Sequence, residues 1–281
     1  MQPHIAAEPI DNIEKELIKA VSASQTRFTP PALEKMLCEK FATGKKQAKS
    51  ILKNLVAKGE LAYTYRYGCT FLELSFSKPV RISEFIVLRP PGISYDADPE
   101  TVVIEIMSGA SFGTGRHPTT RLALKGVEYA VKKSGAFLHK KETRLLDIGT
   151  GSGVLAIAAV LLGIEKGIGI DIDLCAIAEA KENVRINGLN SRIEIYDLPV
   201  EEIHSPFSLI IANLRYPTLA RLFPHICNIT EPGAHAVLSG IKTDEIPDLL
   251  DIYTEKYFRQ EWSAIEKDWA GLVLKKTGQP P

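Results

Sequence analysis

Cysteine is scarce in this chain and badly placed for chemistry. Cys38, Cys69, Cys175 and Cys227 form no Cys-x-x-Cys pair, so their spacing offers neither a disulfide framework nor a zinc site, and each reads as a small buried side chain. The six histidines (His4, His117, His139, His204, His225 and His235) include no i,i+4 pair. Metal catalysis therefore has no support, and no metal is expected. No run approaches the roughly 18 consecutive apolar residues of a membrane span, and the N-terminus lacks the basic-then-apolar pattern of a signal peptide. These absences predict a soluble, cytoplasmic protein with no membrane partner. Net charge is missing too, with 34 Lys and Arg against 34 Asp and Glu. The balance conceals an asymmetry: residues 1–90 carry 14 basic against 9 acidic side chains, and the remainder 20 against 25. A length of 281 residues, 45% hydrophobic, allows one large domain and a small one, here a basic N-terminal module joined to an acidic larger one.

What is present is organised around the stretch from Leu145 to Ala159, LLDIGTGSGVLAIAA. It reads as a buried strand, a glycine turn and a helix, an arrangement that brings backbone N–H groups against a ligand. Alternate glycines remove the Cβ atoms that would hold the ligand away. The spacing is Asp-x-Gly-x-Gly-x-Gly, from Asp147 through Gly149, Gly151 and Gly153. A dinucleotide fingerprint would place its third glycine at Val154 instead, so the spacing favours S-adenosyl-L-methionine over a nicotinamide.

Upstream, Ile13, Leu17, Ala20 and Val21 repeat at helical spacing. Thr29-Pro30-Pro31 opens a second helix, and a third runs from Lys45 to Lys58 with Gly59 as its cap. Two β-rich runs, Leu61–Tyr67 and Thr70–Phe76, turn at Gly68-Cys69. Three short helices and a hairpin resemble a winged helix, which sets a first domain at residues 1–78. Its third helix carries Lys45, Lys46, Lys49 and Lys53, which could contact nucleic acid while Tyr63, Tyr65 and Tyr67 stack. The competing reading is an ordinary solvated face with tyrosines packed on helices, or a protein-docking module. The lack of arginine for bidentate base readout weighs toward it. Prolines in Lys78-Pro79, Arg89-Pro90-Pro91-Gly92 and Asp98-Pro99 mark residues 79–100 as a linker.

From residue 101 to 281 the pattern is that of a doubly wound α/β sheet closed by an antiparallel hairpin, Arg259–Glu266 and Trp269–Lys275. Ser111 to Thr120 forms a glycine loop entering a helix, where Phe112, Gly113, Thr114 and Thr119 could cover a ligand. Asp171 ends the second strand, some twenty residues past the glycine loop, where a carboxylate can accept both ribose hydroxyls; Asp173 is better placed to cap the next helix. Asp147 could anchor the loop or meet the ligand's ammonium group. Asp197-Leu198, after the third strand, would sit near adenine, with an ordinary surface loop as the alternative, and Ile172 beside Asp171 is a further candidate for cofactor binding. Asn213, at the end of the fourth strand, could hold an amine N–H so that its lone pair faces a methyl group. Tyr216 could stack on a planar acceptor or pack against the lid. A lysine acceptor, with a reference pKa of about 10.4, must first lose a proton, and no base for that step stands out.

These motifs together resemble the PrmA-type methyltransferases, which methylate amino groups of a large-subunit ribosomal protein. The likeness covers residues from about 100 to 276. It rests on Gly113-Thr114-Gly115-x-His117-x-Thr119-Thr120, on Leu146 to Gly153, on Gly169-Ile170-Asp171-Ile172-Asp173, on Ala212-Asn213-Leu214, on Leu238-Ser239-Gly240-Ile241 and on Trp269. The resemblance implies a Rossmann-like class I methyltransferase sheet. It implies that Thr114 and its loop cover S-adenosylmethionine, that Gly149 and Asp171 bind it, and that Asn213 faces the acceptor amine. Two features depart from the family: a winged-helix-like unit stands where the family has a ferredoxin-like substrate-recognition domain, and Arg215-Tyr216-Pro217 follows the asparagine where small or apolar residues are usual. The expected function is methyl transfer to a protein amine, in a ribosomal protein docked by the N-terminal module. The alternatives are nucleic-acid methylation, a winged-helix regulator that senses S-adenosylmethionine without turnover and, least favoured, a nicotinamide dehydrogenase.

Overall fold

The computed structural model describes residues 10–24, 27–66, 68–107, 115, 117–137, 140–255 and 257–277. The chain divides into two compact units, Met1–Lys78 and Pro79–Pro281.

The first unit contains α1 (Ile10–Ala23), α2 (Pro30–Phe41), α3 (Lys45–Ala57), β1 (Leu61–Arg66) and β2 (Cys69–Leu74). Thr29 caps α2 by accepting the Ala32 amide, with prolines in the first turn where no N–H is needed. Ala42, in the left-handed region at φ 52°, ends it. Between α1 and α2 the chain meets the hairpin where the Leu72 amide donates to the Phe28 carbonyl at 2.8 Å and Arg27 pairs with Glu73 at 2.9 Å. The helices and hairpin close over a small core that includes Leu17, Leu33, Leu37, Leu55, Leu61 and Leu72.

The second unit begins with β3 (Val80–Arg81), β4 (Ile86–Arg89) and β5 (Val102–Glu105). β4 runs antiparallel to β3 and parallel to β5. The expected linker at residues 79–100 is thus corrected: its prolines bracket strands. The reason is burial, because Ile86, Val87 and Leu88 are fully enclosed. Tertiary bonds add to it: the carboxylate of Glu128 accepts the Phe85 amide at 3.0 Å and the Ser83 hydroxyl, and Arg89 pairs with Glu105 across the strands at 2.6 Å.

There follow α4 (Pro118–Glu128, continuing as a π-helical turn to Lys133), β6 (Arg144–Ile148), α5 (Val154–Leu162), β7 (Lys166–Ile170), α6 (Leu174–Ile186), β8 (Ile193–Tyr196), β9 (Phe207–Asn213), α7 (Tyr216–Ile229), β10 (Thr230–Lys242), α8 (Ile246–Thr254), β11 (Phe258–Glu266) and β12 (Trp269–Lys276). Seven of these strands form one sheet in the order β11-β12-β10-β9-β6-β7-β8. β12 runs antiparallel to both neighbours and the other adjacent pairs are parallel. The closing hairpin forms one edge of the sheet, with β11 outermost and β12 lying between β11 and β10. Helix α5 is apolar all round and buried from Val154 through Val160, as a helix enclosed on all sides must be. Helix α4 crosses β10 and β12 closely; a Cβ on Gly126 would lie 2.8 Å from Val237, and one on Gly271 2.9 Å from Leu122.

Register decides where the site falls. Ile148 lies beside Ile170 on one side and Ala212 on the other. Gly149 and Asp171 accordingly leave their strands, and Asn213 ends its own, at a single sheet edge. That carboxyl edge, where neighbouring chains diverge, is where open α/β sheets bind ligands.

Candidate active site

The glycine loop is held from beneath. Gly149, Gly151 and Gly153 all have positive φ, at 69°, 57° and 80°, which L side chains adopt only under strain. The Gly149 and Thr150 amides both donate to the Ile170 carbonyl at 2.9 Å. Below them Asp147 is fully buried. Its Oδ2 accepts the Thr150 hydroxyl at 2.8 Å, while Oδ1 has no partner of normal hydrogen-bond geometry. Burial pushes this carboxyl up to about 7, against the downward pull of Thr150 and of the Ala156 amide at the start of α5. Of the two roles open for Asp147, anchoring the loop is the one its contacts display.

The glycines divide their duties. A Cβ on Gly149 would lie 2.8 Å from the Leu214 side chain, and one on Gly153 would press on Ala180 of α6 at 3.3 Å. Gly149 therefore makes room for the residue that follows β9, and Gly153 lets α5 and α6 approach. Gly151 turns its amide to Asp171 Oδ2 at 2.9 Å.

Asp171 sits where β7 ends. Its Oδ1 accepts the Ile172 and Asp173 amides at 2.8 and 3.1 Å, which fixes the carboxylate while leaving lone pairs for hydroxyl donors. Asp173 caps α6 by accepting the Cys175 amide. Ile172 is 86% exposed beside it, an apolar side chain standing in solvent at the ligand edge. Leu198 is half-buried against the sheet's apolar cluster. These residues fit the ribose and adenine of S-adenosylmethionine. Phe112, Gly113 and Thr114 lie outside the described residues.

On the other side of the edge, Asn213 pairs with Ser239 of β10. Its half-buried side chain makes no hydrogen bond to the described residues, so its amide is available to a ligand. The following residue is gripped twice. The Leu214 amide donates to the Ser239 carbonyl at 2.9 Å, and the Leu214 backbone crosses Gly240 so closely that a Cβ there would meet its carbonyl oxygen at 2.4 Å. Gly240 has φ 88° and lies in the β10 bulge against β12. Tyr216 occupies the first turn of α7, half-buried against the same apolar cluster as Leu198.

Two cations gather on the ring of Trp269, and Glu245 partly offsets them: it lies 4.0 Å from Arg215 and accepts the Lys242 amide at 2.7 Å. Trp269 opposes Lys242 in register; Lys242 Nζ lies 4.1 Å above its ring and the Arg215 guanidinium 5.0 Å. His117 meets the same ring edge-on at 5.2 Å. The His117 Nδ1 caps α4 by accepting the Thr119 amide at 3.3 Å and lies 2.8 Å from the Thr119 hydroxyl. Capping needs the Nδ1 lone pair, so the proton of the neutral ring belongs on Nε2. Burial, with Arg121, Lys267 and Lys242 nearby, holds the His117 pKa below its usual value. Thr119 is buried and also binds the sheet, its carbonyl accepting the Ser239 hydroxyl at 3.1 Å.

Two residues of the site have no counterpart among the sequence candidates. Asn183 of α6 is buried; its Nδ2 donates to the Ser152 carbonyl of the glycine loop at 2.9 Å, and its Oδ1 accepts the Met107 amide at 3.0 Å. Four residues on, Asn187 binds the Glu105 backbone through both amide atoms, at 3.0 and 2.7 Å. Together they fasten the chain leaving β5 to the glycine loop. The available signal was two asparagines one helical turn apart, on a single helix face.

A seven-stranded sheet in this order, with one antiparallel strand inserted and a glycine loop after β6, is the class I methyltransferase fold, whose members draw on S-adenosylmethionine. The family model for ribosomal protein L11 methyltransferase (PrmA) matches residues 73–277, and the chain belongs to that family. It is 36% identical over 202 residues to the ribosomal protein L11 methyltransferase of Geotalea daltonii, covering 71% of this chain and 64% of that protein. The corresponding protein of Geobacter metallireducens is 35% identical over 197 residues, covering 70% and 62%. The chain thus spans slightly less than two thirds of the length of these relatives. Among solved structures, the ribosomal protein L11 methylase of Lactobacillus delbrueckii subsp. bulgaricus superposes with a TM-score of 0.63 at 27% identity, over 71% of this chain and 99% of that one.

Proposed function

We propose that this protein is an S-adenosylmethionine-dependent methyltransferase whose acceptor is an amine of ribosomal protein L11, selected with the help of the N-terminal unit. The observation that carries the reading is the unpartnered Asn213 amide at the same sheet edge as the Asp171 carboxylate and the glycine loop, in a chain of this family. A ribosomal acceptor would put the reaction in the cytoplasm.

The bound cofactor would supply a methyl group on a positively charged sulfur. The loop from Gly149 to Gly153 would hold its neutral body, Asp171 its ribose hydroxyls and Ile172 its adenine face. The Asn213 carbonyl would accept an N–H of the acceptor and aim the nitrogen lone pair. The proton that the acceptor nitrogen must shed would pass to solvent, since no side chain is assigned as its base. Orientation and exclusion of water are the protein's main contributions to methyl transfer. Lys242 and Arg215 would disfavour a second cation nearby, which assists an amine in arriving neutral.

The test is transfer of labelled methyl groups from S-adenosylmethionine to purified L11. Transfer is expected, and Asn213→Ala should lower kcat by about 100-fold or more, the scale on which lost positioning acts, with cofactor affinity by calorimetry little changed. Absence of transfer to L11, or full activity in the variant, would overturn the assignment. Nucleic-acid methylation and a sensor without turnover gain nothing from family membership.

A further inference from the structure

The N-terminal unit carries a surface that the reaction does not use. Lys45, Lys46, Lys49 and Lys53 are all exposed on α3. At 100° per residue they fall within an arc of about 100°, while Ala48, Ile51, Leu52 and Leu55 fill the buried side. Solvated helix faces usually interleave acids with such lysines, but α3 contains no acid, and most of the unit's described acids pair elsewhere. Glu14 pairs with Lys58, Glu16 with Lys19 and Lys40, Glu39 with Lys35, Glu60 with Lys78 and Glu73 with Arg27. The lysine row is left without an ion pair among the described residues. It also starts at the helix's positive end, where Gly44 provides no side-chain cap. On β1, which packs against α3, Tyr63 and Tyr65 point to one face of the strand and are 53% and 74% exposed. The packed position open to these tyrosines in the sequence is therefore not the one they take; Tyr67 lies outside the described residues.

We infer that this face binds RNA, with the lysine row on consecutive phosphates and the two tyrosines stacked on unpaired bases. A row of unpaired point charges suits a polyanion and fits poorly with a basic protein surface. Lysine without arginine favours phosphate contact over base-edge readout. Exposed aromatic rings gain most from bases not already stacked in a duplex, which separates RNA loops from double-stranded DNA. The inference goes beyond the proposed reaction and does not depend on which protein is methylated.

Fluorescence anisotropy of the full chain with a labelled RNA hairpin bearing an unpaired loop tests it. Four phosphate contacts predict a slope of about −3 for log affinity against log salt. Lys49→Gln/Lys53→Gln should bring the slope to about −1.5, and Tyr63→Ala/Tyr65→Ala should weaken binding roughly tenfold or more, both with unchanged circular dichroism. No binding at about 50 mM salt, the low-salt regime where phosphate contacts are strongest, would overturn the inference. So would equal affinity for a DNA duplex, or lysine substitutions that weaken binding to isolated L11 and leave RNA binding intact. Methylation of isolated L11 reads the proposed reaction separately, so either idea can fail alone.

Discussion

The two units present function in opposite ways. In the N-terminal unit the lysine row and the tyrosines project outward from regular elements, and the core of leucines beneath them does not depend on them. At the sheet edge the functional groups also hold the fold: Asp171 gathers backbone amides, Asn183 ties the glycine loop to the chain after β5, and Leu214 fills space beside Gly149 and Gly240. The difference teaches that function and stability should separate by mutation in the first unit and should not in the second.

The strongest break in that comparison is expected at Gly240. Gly240→Ala puts a Cβ 2.4 Å from the Leu214 oxygen at φ 88°. Strain and overpacking of this kind cost roughly 2 to 4 kcal/mol together, and a displaced Leu214 moves Asn213, so denaturant unfolding and turnover should fall together. A variant with wild-type stability would show that the crossing has slack. Asn183→Ala comes next. It strands the buried Ser152 carbonyl, at about 1 to 3 kcal/mol, and releases the Met107 amide, and the KM for S-adenosylmethionine should rise further than kcat falls. An effect on kcat alone would disconnect the asparagine from the glycine loop.

A smaller effect concerns pH. Asp147 has its folded-state pKa raised to about 7 from 3.8, so the folded protein holds this proton more tightly than the unfolded chain. Its contribution is then fully present below about pH 4 and is lost as the pH rises through 7. The stability of the wild type relative to Asp147→Asn should therefore decline between those limits; a constant difference would refute the raised pKa. His117 works in the other direction. Its lowered pKa makes its contribution complete above about 6.5, with loss as the pH falls. The smallest expected change is in the first unit: Lys49→Gln/Lys53→Gln should alter unfolding free energy by less than about 0.5 kcal/mol, and a larger loss would erase the contrast between the units.

The parts legible in the sequence were those written in local periodicity. The strand, glycine turn and helix from Leu145 onward, the capping role of Asp173, the three N-terminal helices and the parallel strands were all visible in spacing and turn residues. What escaped detection depended on distant partners. Prolines at 79, 90, 91 and 99 read as a linker because nothing local tells that Glu128 will bind the Ser83–Phe85 turn. Asn183 looked like an ordinary helix residue because the amide it accepts lies 76 positions away. Insertion of β12 between β10 and β11 is a matter of sheet order, which a hairpin pattern does not encode.

Leu214 limits how far the cleft could be retuned if the proposed reaction holds. Its side chain fills the space a Cβ on Gly149 would need, and its backbone lies across Gly240, so the glycine loop and the Asn213 side of the cleft share one wedge. A substitution there made to widen the Asn213 side would also release the glycine loop. Positions free of that coupling begin one residue later, at Arg215.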